Sequence, residues 1–266
     1  MRISMGETFY NILAKQHLTE RDKKRLSKMY ERLLREQELL RDVFSSISLK
    51  NRRILDVGTG QGFACKFLVE HAEHSEIVTV DKDPLSLNRM RNIVGDKIDK
   101  IVFLKADLSN MSFLKDNYFD IVLSHYTLST VDKDIFHAVL NEINRVLTVN
   151  GLFIVIEGFG TGTMDYARKL TLELEEIYRQ VTGEEEELNL DKLLKIFRGF
   201  KGFDIVKVRK LNDGLIDPTI GDFGKYLLSL VNKEELKKRI LRILEEGEVH
   251  GFREAPDYVI YLRKTG

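Results

Sequence analysis

The sequence predicts an α/β fold, a three-layer α-β-α sandwich around a mostly parallel seven-stranded sheet. Three observations predict it. Short β-rich runs alternate with helical patterns from residue 53 to residue 157, the rhythm of parallel strands joined by helical crossovers. Runs such as IVL and LFIVI are nearly continuously apolar, as strands buried on both faces are. The chain has 266 residues, 43% hydrophobic and 32% charged, enough for a sizeable core and too apolar for disorder.

The elements follow in order. Residues 7–47 read as helix: Thr19 can cap it, and Leu26, Met29, Leu33, Leu40 and Val43 recur near helical spacing. The period then shortens. Strands are expected at Arg53–Val57, Ile77–Asp81, Ile101–Lys105, Phe119–Ser124 and Leu152–Glu157, with helices at Phe63–Ala72, Leu85–Val94 and Ile135–Leu147. After Glu157 a charge-rich helical stretch covers about 163–199, and its acidic run Glu184–Glu187 reads as a solvated face. Phe203–Lys210 reads as a sixth strand, two helical patterns fill 212–250, and Tyr258–Arg263 reads as the last strand. The expected organisation is an N-terminal helical cap over 1–50, then one domain over 51–266 with helical additions at about 160–199 and 212–250.

Composition narrows the function classes. Lys plus Arg equals Asp plus Glu at 42 each, so no global field draws the chain to nucleic acid or an anionic membrane. The basic positions from Arg21 to Arg35 read as a wet helix face, with an RNA-facing patch as the competing idea. No apolar run reaches the length of a membrane span, and no apolar signal segment follows Met1–Ser4. Cys65 is the only cysteine, which excludes an intrachain disulfide and a cysteine-cluster metal site; no metal is expected, and the default location is cytoplasmic. Richness in Lys, Glu and Arg without Trp points to a heat-loving source.

The stretch ILDVGTGQGFA, residues 54–64, carries the chemistry. It is a strand end, a turn with glycines at 58, 60 and 62, and a helix start. Gly58 and Gly60 let a ligand approach the backbone closely. The spacing is G-x-G-x-G, which fails the dinucleotide fingerprint, and no Gly-Lys-Ser/Thr follows to make a P-loop. Asp56 stands at the strand end, where a carboxylate repels a pyrophosphate and suits a cation. Asp81 ends the second strand, 23 residues after Gly58, where a carboxylate can accept ribose hydroxyls. A ribose, a cationic group and no phosphate are the features of S-adenosylmethionine (SAM).

With these residues in view, the chain resembles the class I SAM-dependent methyltransferases, and most of all their broad small-molecule group. The resemblance runs from about Arg52 to Glu157, about 40% of the chain, through ILDVGTGQG, VTVDKDP, FLKADLSNMSF and FDIVLSHYTLSTV with LNEINRVLTVNGLFIVIE. It implies an antiparallel last strand and SAM as cofactor. It implies that Asp56, Gly58, Thr59 and Gly60 lie along the methionine part, Asp81 takes the ribose, and Lys82 flanks the adenine. Asp107 and Leu108 would frame the base, and Ser124 and His125 would line the cofactor near the methyl group. The sequence departs from the family in three places. Asn150-Gly151 replaces a Pro-Gly turn, Ser129-Thr130 replaces a frequent pair of histidines, and no Asn-Pro-Pro-Tyr follows the fourth strand.

The resemblance implies direct displacement at the methyl carbon, with the protein supplying orientation and, for acceptors that carry a proton, a base. The candidates for catalysis are His125, Glu157 and Tyr126; each also has a plain structural reading, as a satisfied polar residue, a cap or packing. His250 and Arg253 precede the last strand near the expected mouth, where Arg253 could grip a substrate carboxylate or phosphate. The expected acceptor is a small molecule rather than RNA or protein, with no membrane partner and with oligomerisation left open. Two alternatives stand beside it: an RNA or protein methyltransferase that uses the basic N-terminal helices, and a non-catalytic SAM-binding module.

Overall fold

The structure, a computed structural model, describes residues 19–160, 164–183, 188–217 and 219–266. The start of the expected N-terminal helix and the run Glu184–Glu187 lie outside the described residues. The chain divides into two compact units, Met1–Ser45 and Ser46–Gly266. In the first, helix α1 (Glu20–Val43) places the buried Leu33, Glu36, Gln37, Leu40 and Val43 on one face, at helical spacing. Glu36 is paired with Arg32 one turn earlier, at 3.7 Å.

The second unit is built on seven strands: β1 (Arg53–Val57), β2 (Glu76–Asp81), β3 (Ile101–Lys105), β4 (Phe119–His125), β5 (Leu147–Gly158), β6 (Phe203–Lys210) and β7 (Asp257–Lys264). Their order is β3-β2-β1-β4-β5-β7-β6, with β7 antiparallel to both its neighbours and the other pairings parallel. The chain leaves β1 toward β2 on one side and returns to β4 on the other. The crevice beyond the carboxyl ends of β1 and β4 is therefore the switch point where open α/β sheets bind ligands.

Strand side chains alternate between the faces, so Leu55 and Val57 point one way and Asp56 the other. On the first face Leu55, Val57, Val122, Phe153 and Val155 pack against α4 (Lys133–Val146) and α6 (Leu190–Gly199) through Phe136, Leu140, Leu193 and Phe197. On the second face Asp56 meets Cys65 of α2 (Phe63–His71), which packs beside α3 (Leu85–Val94). Helices on both faces make the three-layer sandwich.

Most boundaries move by a residue or two, the N-terminal helix ends at Val43 rather than 47, and two larger differences have physical reasons. β5 begins at Leu147, five residues early, because Leu147 pairs with Phe119 before the register shifts and Asn150, at φ 64°, turns the chain back into the ladder. The helical stretch over 163–199 is two helices. α5 (Tyr166–Thr182) ends on Gly183 in the left-handed region at φ 72°, and Asn189 caps α6 by accepting the Lys192 N–H at 2.9 Å. The last addition holds α7 (Ile220–Leu230) and α8 (Glu234–His250), which build a separate core with α5 from Leu170, Leu174, Ile177, Leu227, Ile240 and Ile243. Among the described residues no helix is long and apolar enough to cross a membrane.

Candidate active site

The glycine turn is fixed from below. The Gly58 N–H donates to the Val80 carbonyl at 2.8 Å, and the Gly62 N–H to the Thr59 carbonyl at 2.8 Å. Gly62 starts α2 at φ 88°, and a Cβ there would lie 2.7 Å from the Met90 Cα, so the third glycine serves the close crossing of α2 and α3. Gly60, at φ 51°, is different. A Cβ there would meet nothing nearer than the Gly58 carbonyl oxygen at 3.9 Å, which leaves open space over the turn.

Asp56 lies under that turn and is fully buried. Its Oδ2 accepts from the Thr79 hydroxyl at 2.8 Å and the Cys65 thiol at 3.3 Å. Thr79 has spent its only proton on Asp56, so Thr59, 2.6 Å away, donates to Thr79. Asp56 Oδ1 has no hydrogen-bond partner among the described residues. Burial pushes the carboxyl up to about 6, and the bonds from Thr79 and Cys65 with nearby His125 hold it below what burial alone would give. The Cys65 thiol is raised well above its ordinary value by burial and by Asp56, which makes it an inert core donor.

Asp81 pins the turn from the side. Its Oδ2 accepts from the Gly60 N–H at 2.9 Å and the Ser86 hydroxyl at 2.8 Å, and its Oδ1 from the Asp83 N–H at 2.8 Å. A carboxylate offers about four acceptor positions, so one on Oδ1 is left for a ligand. Lys82 beside it is exposed. Asp107 is exposed after β3, and the Ser109 hydroxyl and N–H, at 2.7 and 2.8 Å, hold its carboxyl below the usual carboxylate value. Lys82 also lowers it, which puts the two side chains at one corner. Leu108 is buried in the core cluster of the first face.

The end of β4 separates two residues that the sequence reading grouped. Ser124 pairs in register with Val57 and Val155 and shares their face, so His125 points to the opposite one, with Asp56. The Ser124 hydroxyl is buried without a hydrogen-bond partner among the described residues. His125 is half-buried, its ring centroid 4.6 Å from that of Tyr126, and it lowers the pKa of both Asp56 and Glu157. Tyr126 sits at φ 53°, a costly conformation for a bulky residue, held by its N–H bond to the Ile156 carbonyl at 2.9 Å. Thr127 then lies over the turn, because a Cβ on Gly58 would come 2.1 Å from its Oγ1.

Glu157 holds that loop in place. It is 1% exposed, and it accepts the Ser129 N–H at 3.2 Å and the Ser129 hydroxyl at 2.8 Å. Burial raises its pKa, against the bonds from the Ser129 hydroxyl and the N–H groups of Ser129 and Leu128. His250 and Arg253 stand apart from this cluster. The exposed His250 ring packs edge-on to Tyr166 at 4.8 Å. The Arg253 guanidinium donates to Asp165 Oδ2 at 2.8 Å and the Gly214 carbonyl at 2.6 Å, so it is engaged in tying loops together.

The family model of the methyltransferase domain matches residues 48–248. The chain belongs to the methyltransferase-domain family. No curated protein matches it. Solved structures share the fold of this methyltransferase. A candidate sarcosine dimethylglycine methyltransferase from Galdieria sulphuraria is 18% identical, with 88% of this chain and 86% of that one covered and a TM-score of 0.58. A candidate methyltransferase from Bacillus halodurans C-125 is 14% identical, with coverage of 87% and 99% and a TM-score of 0.60. Phospholethanolamine N-methyltransferase 2 from Haemonchus contortus, in complex with phosphomonomethylethanolamine and S-adenosylhomocysteine, is 16% identical, with coverage of 87% and 52% and a TM-score of 0.54.

Three residues of the candidate site were not singled out from sequence, Thr79, Ser86 and Thr127, and Ser129 was noted only as a departure from the family's histidine pair. Thr79 had a signal, since parallel register puts it beside Asp56 in the run VTVD. Ser129 and Thr127 act through the path of a loop, which no spacing rule describes.

Proposed function

We propose that this methyltransferase takes its methyl group from SAM and passes it to a small-molecule acceptor held beyond β4 and β5. The observation that carries the reading is the buried Asp56 Oδ1, an unsatisfied carboxylate oxygen under an open glycine turn. Such an atom is costly unless a donor, best a cation, completes it. The ammonium of the methionine part fits it. The free acceptor position on Asp81 suits a ribose hydroxyl, and Asp107 with Lys82 marks the corner for the adenine. The S-adenosylhomocysteine in the Haemonchus structure agrees with SAM as the methyl donor.

When bound, SAM supplies an activated methyl on a sulfonium, so the chain mainly orients the partners and excludes water. His125 is the base we assign for an acceptor that carries a proton. It ends β4 beside the turn, and the charges of Asp56 and Glu157 favour the imidazolium that forms. Glu157 positions the loop 127–130 and does not itself reach for substrate, because its carboxylate is engaged by Ser129. Gly60, Thr59 and Thr127 shape the floor. The balanced charge gives no global pull toward a polyanionic acceptor such as RNA.

The test is transfer of a labelled methyl from SAM to a panel of small phenols, alcohols and amines. Label on a small acceptor, lost in His125→Ala with SAM affinity retained, is the expected outcome. Label found only on added RNA or protein contradicts the small-molecule assignment.

A further inference from the structure

β6 ends the sheet, with β7 on one side of it and no further strand on the other. Asp204, Val206, Lys207, Val208 and Lys210 are exposed along it, the two valines by 52 and 38%. The outer N–H and C=O groups of an edge strand are a template for another strand.

The strand carries one irregularity that decides which partner fits. Ile205 pairs with Leu262 and Lys207 with Tyr261, so Val206 is an extra residue and β6 bulges there. Along an antiparallel strand, successive residues aim their backbone groups alternately inward and outward. The Gly202 carbonyl takes the Thr265 N–H at 3.1 Å, and the Leu211 N–H goes to the Asp257 carbonyl at 2.7 Å, so both residues point inward, to β7. Counted from these two ends, Phe203 and Ile205 point outward before the bulge, and Val208 and Lys210 after it. In a strand without a bulge the outward residues share one parity, and a two-fold axis sets a residue opposite itself. Here the bulge changes the parity. A second, antiparallel copy of β6 then has one register that uses all four outward residues. It sets Ile205 opposite Val208 of the second copy and Phe203 opposite Lys210.

The side chains agree with that register. Ile205 and Val208 pair with Leu262 and Ile260 of β7, so they share the core face of the sheet. Asp204 and Arg209 pair with Arg263 and Val259, so they share the other face. In the same register Asp204 stands opposite Arg209 of the second copy. Apolar meets apolar and carboxylate meets guanidinium, each twice by symmetry. Lys207 alone comes near its own copy across the axis, which limits the affinity.

We propose that β6 is a dimer edge: two copies of this chain pair β6 with β6 about an axis at Val206 and Lys207, and their seven-stranded sheets join into one. The strands of the second copy run the opposite way, so the two glycine turns open at opposite edges of the joined sheet. β1 lies four strands from β6, about 19 Å away, so the two turns are expected to act independently. The proposal holds whether or not the turn binds SAM.

The test is sedimentation of the full chain over a concentration series up to about 100 μM. The wild type is expected to show a monomer–dimer equilibrium. Asp204→Arg and Arg209→Asp each set like charges opposite each other twice, and each is expected to weaken the dimer roughly ten-fold or more. Mixed together, the two variants should form a heterodimer, because each supplies the charge that the other lacks. Recovery on mixing, with melting temperatures near wild type, separates a lost interface from a lost fold. Lys207→Gln, which lifts the one like-charge approach, should tighten the dimer roughly two-fold or more. A wild type that stays monomeric throughout would overturn the proposal, as would assemblies larger than a dimer. So would a dimer indifferent to both charge reversals, or a mixture of the two variants that stays monomeric.

Discussion

At Asp56 two demands oppose each other. The fold buries a carboxylate, and the SAM ammonium proposed for it needs it charged. The unfolded chain ionises this group near 3.8 and the folded chain near 6. Between those values the folded state holds a proton that the unfolded state has lost, so stability falls as pH rises through the window. The cost grows by about 1 kcal/mol from pH 5 to pH 8. Asp56→Asn removes the ionisation, so its melting temperature is expected to gain on the wild type between those two pH values. SAM affinity should move the other way, rising with pH in the wild type and staying flat in the variant. At pH 8 the variant should bind roughly 10–100-fold more weakly, as for loss of a charge-assisted hydrogen bond; calorimetry at the two pH values checks both signs. The glycines divide similarly. Gly62→Ala drives a Cβ to 2.7 Å from Met90 Cα and should cost about 1–3 kcal/mol of stability in urea melts. Gly60→Ala faces open space and should spare more stability while weakening SAM.

At the scale of elements, the loop from β4 to α4 ties the glycine turn to the end of β5. Thr127 rests on Gly58, Tyr126 is held at φ 53°, and Glu157 of β5 accepts from Ser129. Glu157→Gln keeps the shape but offers an N–H where Ser129 needs an acceptor. It should lower SAM affinity roughly ten-fold while, by removing a buried charge, leaving the melting temperature at pH 8 within a few degrees of wild type; affinity and melting measured on one preparation separate the two effects. The strands were legible in sequence because β-rich runs sit between clear helical periods, and Arg53–Val57, Ile101–Lys105 and Phe203–Lys210 hold to the residue. The start of β5 was not, since a register shift against Phe119 is a property of two strands together. The break at Gly183 was readable in principle, from a glycine after a helix, but the charge-rich pattern on both sides masked it. In the candidate site, Asp56, Gly60 and Asp81 were legible from spacing. The split of Ser124 from His125 follows from strand alternation, which the sequence also contained.

The whole molecule is a methyltransferase-fold domain that carries its own helical core over the ends of β5, β6 and β7. The two cores have different duties. The sheet core sets the turn, Asp56 and Asp81, which the family pattern made readable. The helical core joins α5, α7 and α8, and there the sequence showed helical periods without showing which apolar residues stay outside. What unites the account is the proposal that the open turn over Asp56 holds SAM. The direct test is calorimetric titration of the intact chain with SAM, with NADH as the control ligand. The account predicts saturable binding of one SAM per chain, weakened by Asp56→Asn, and no binding of NADH. Binding of NADH without SAM, or SAM affinity indifferent to Asp56→Asn, would contradict it.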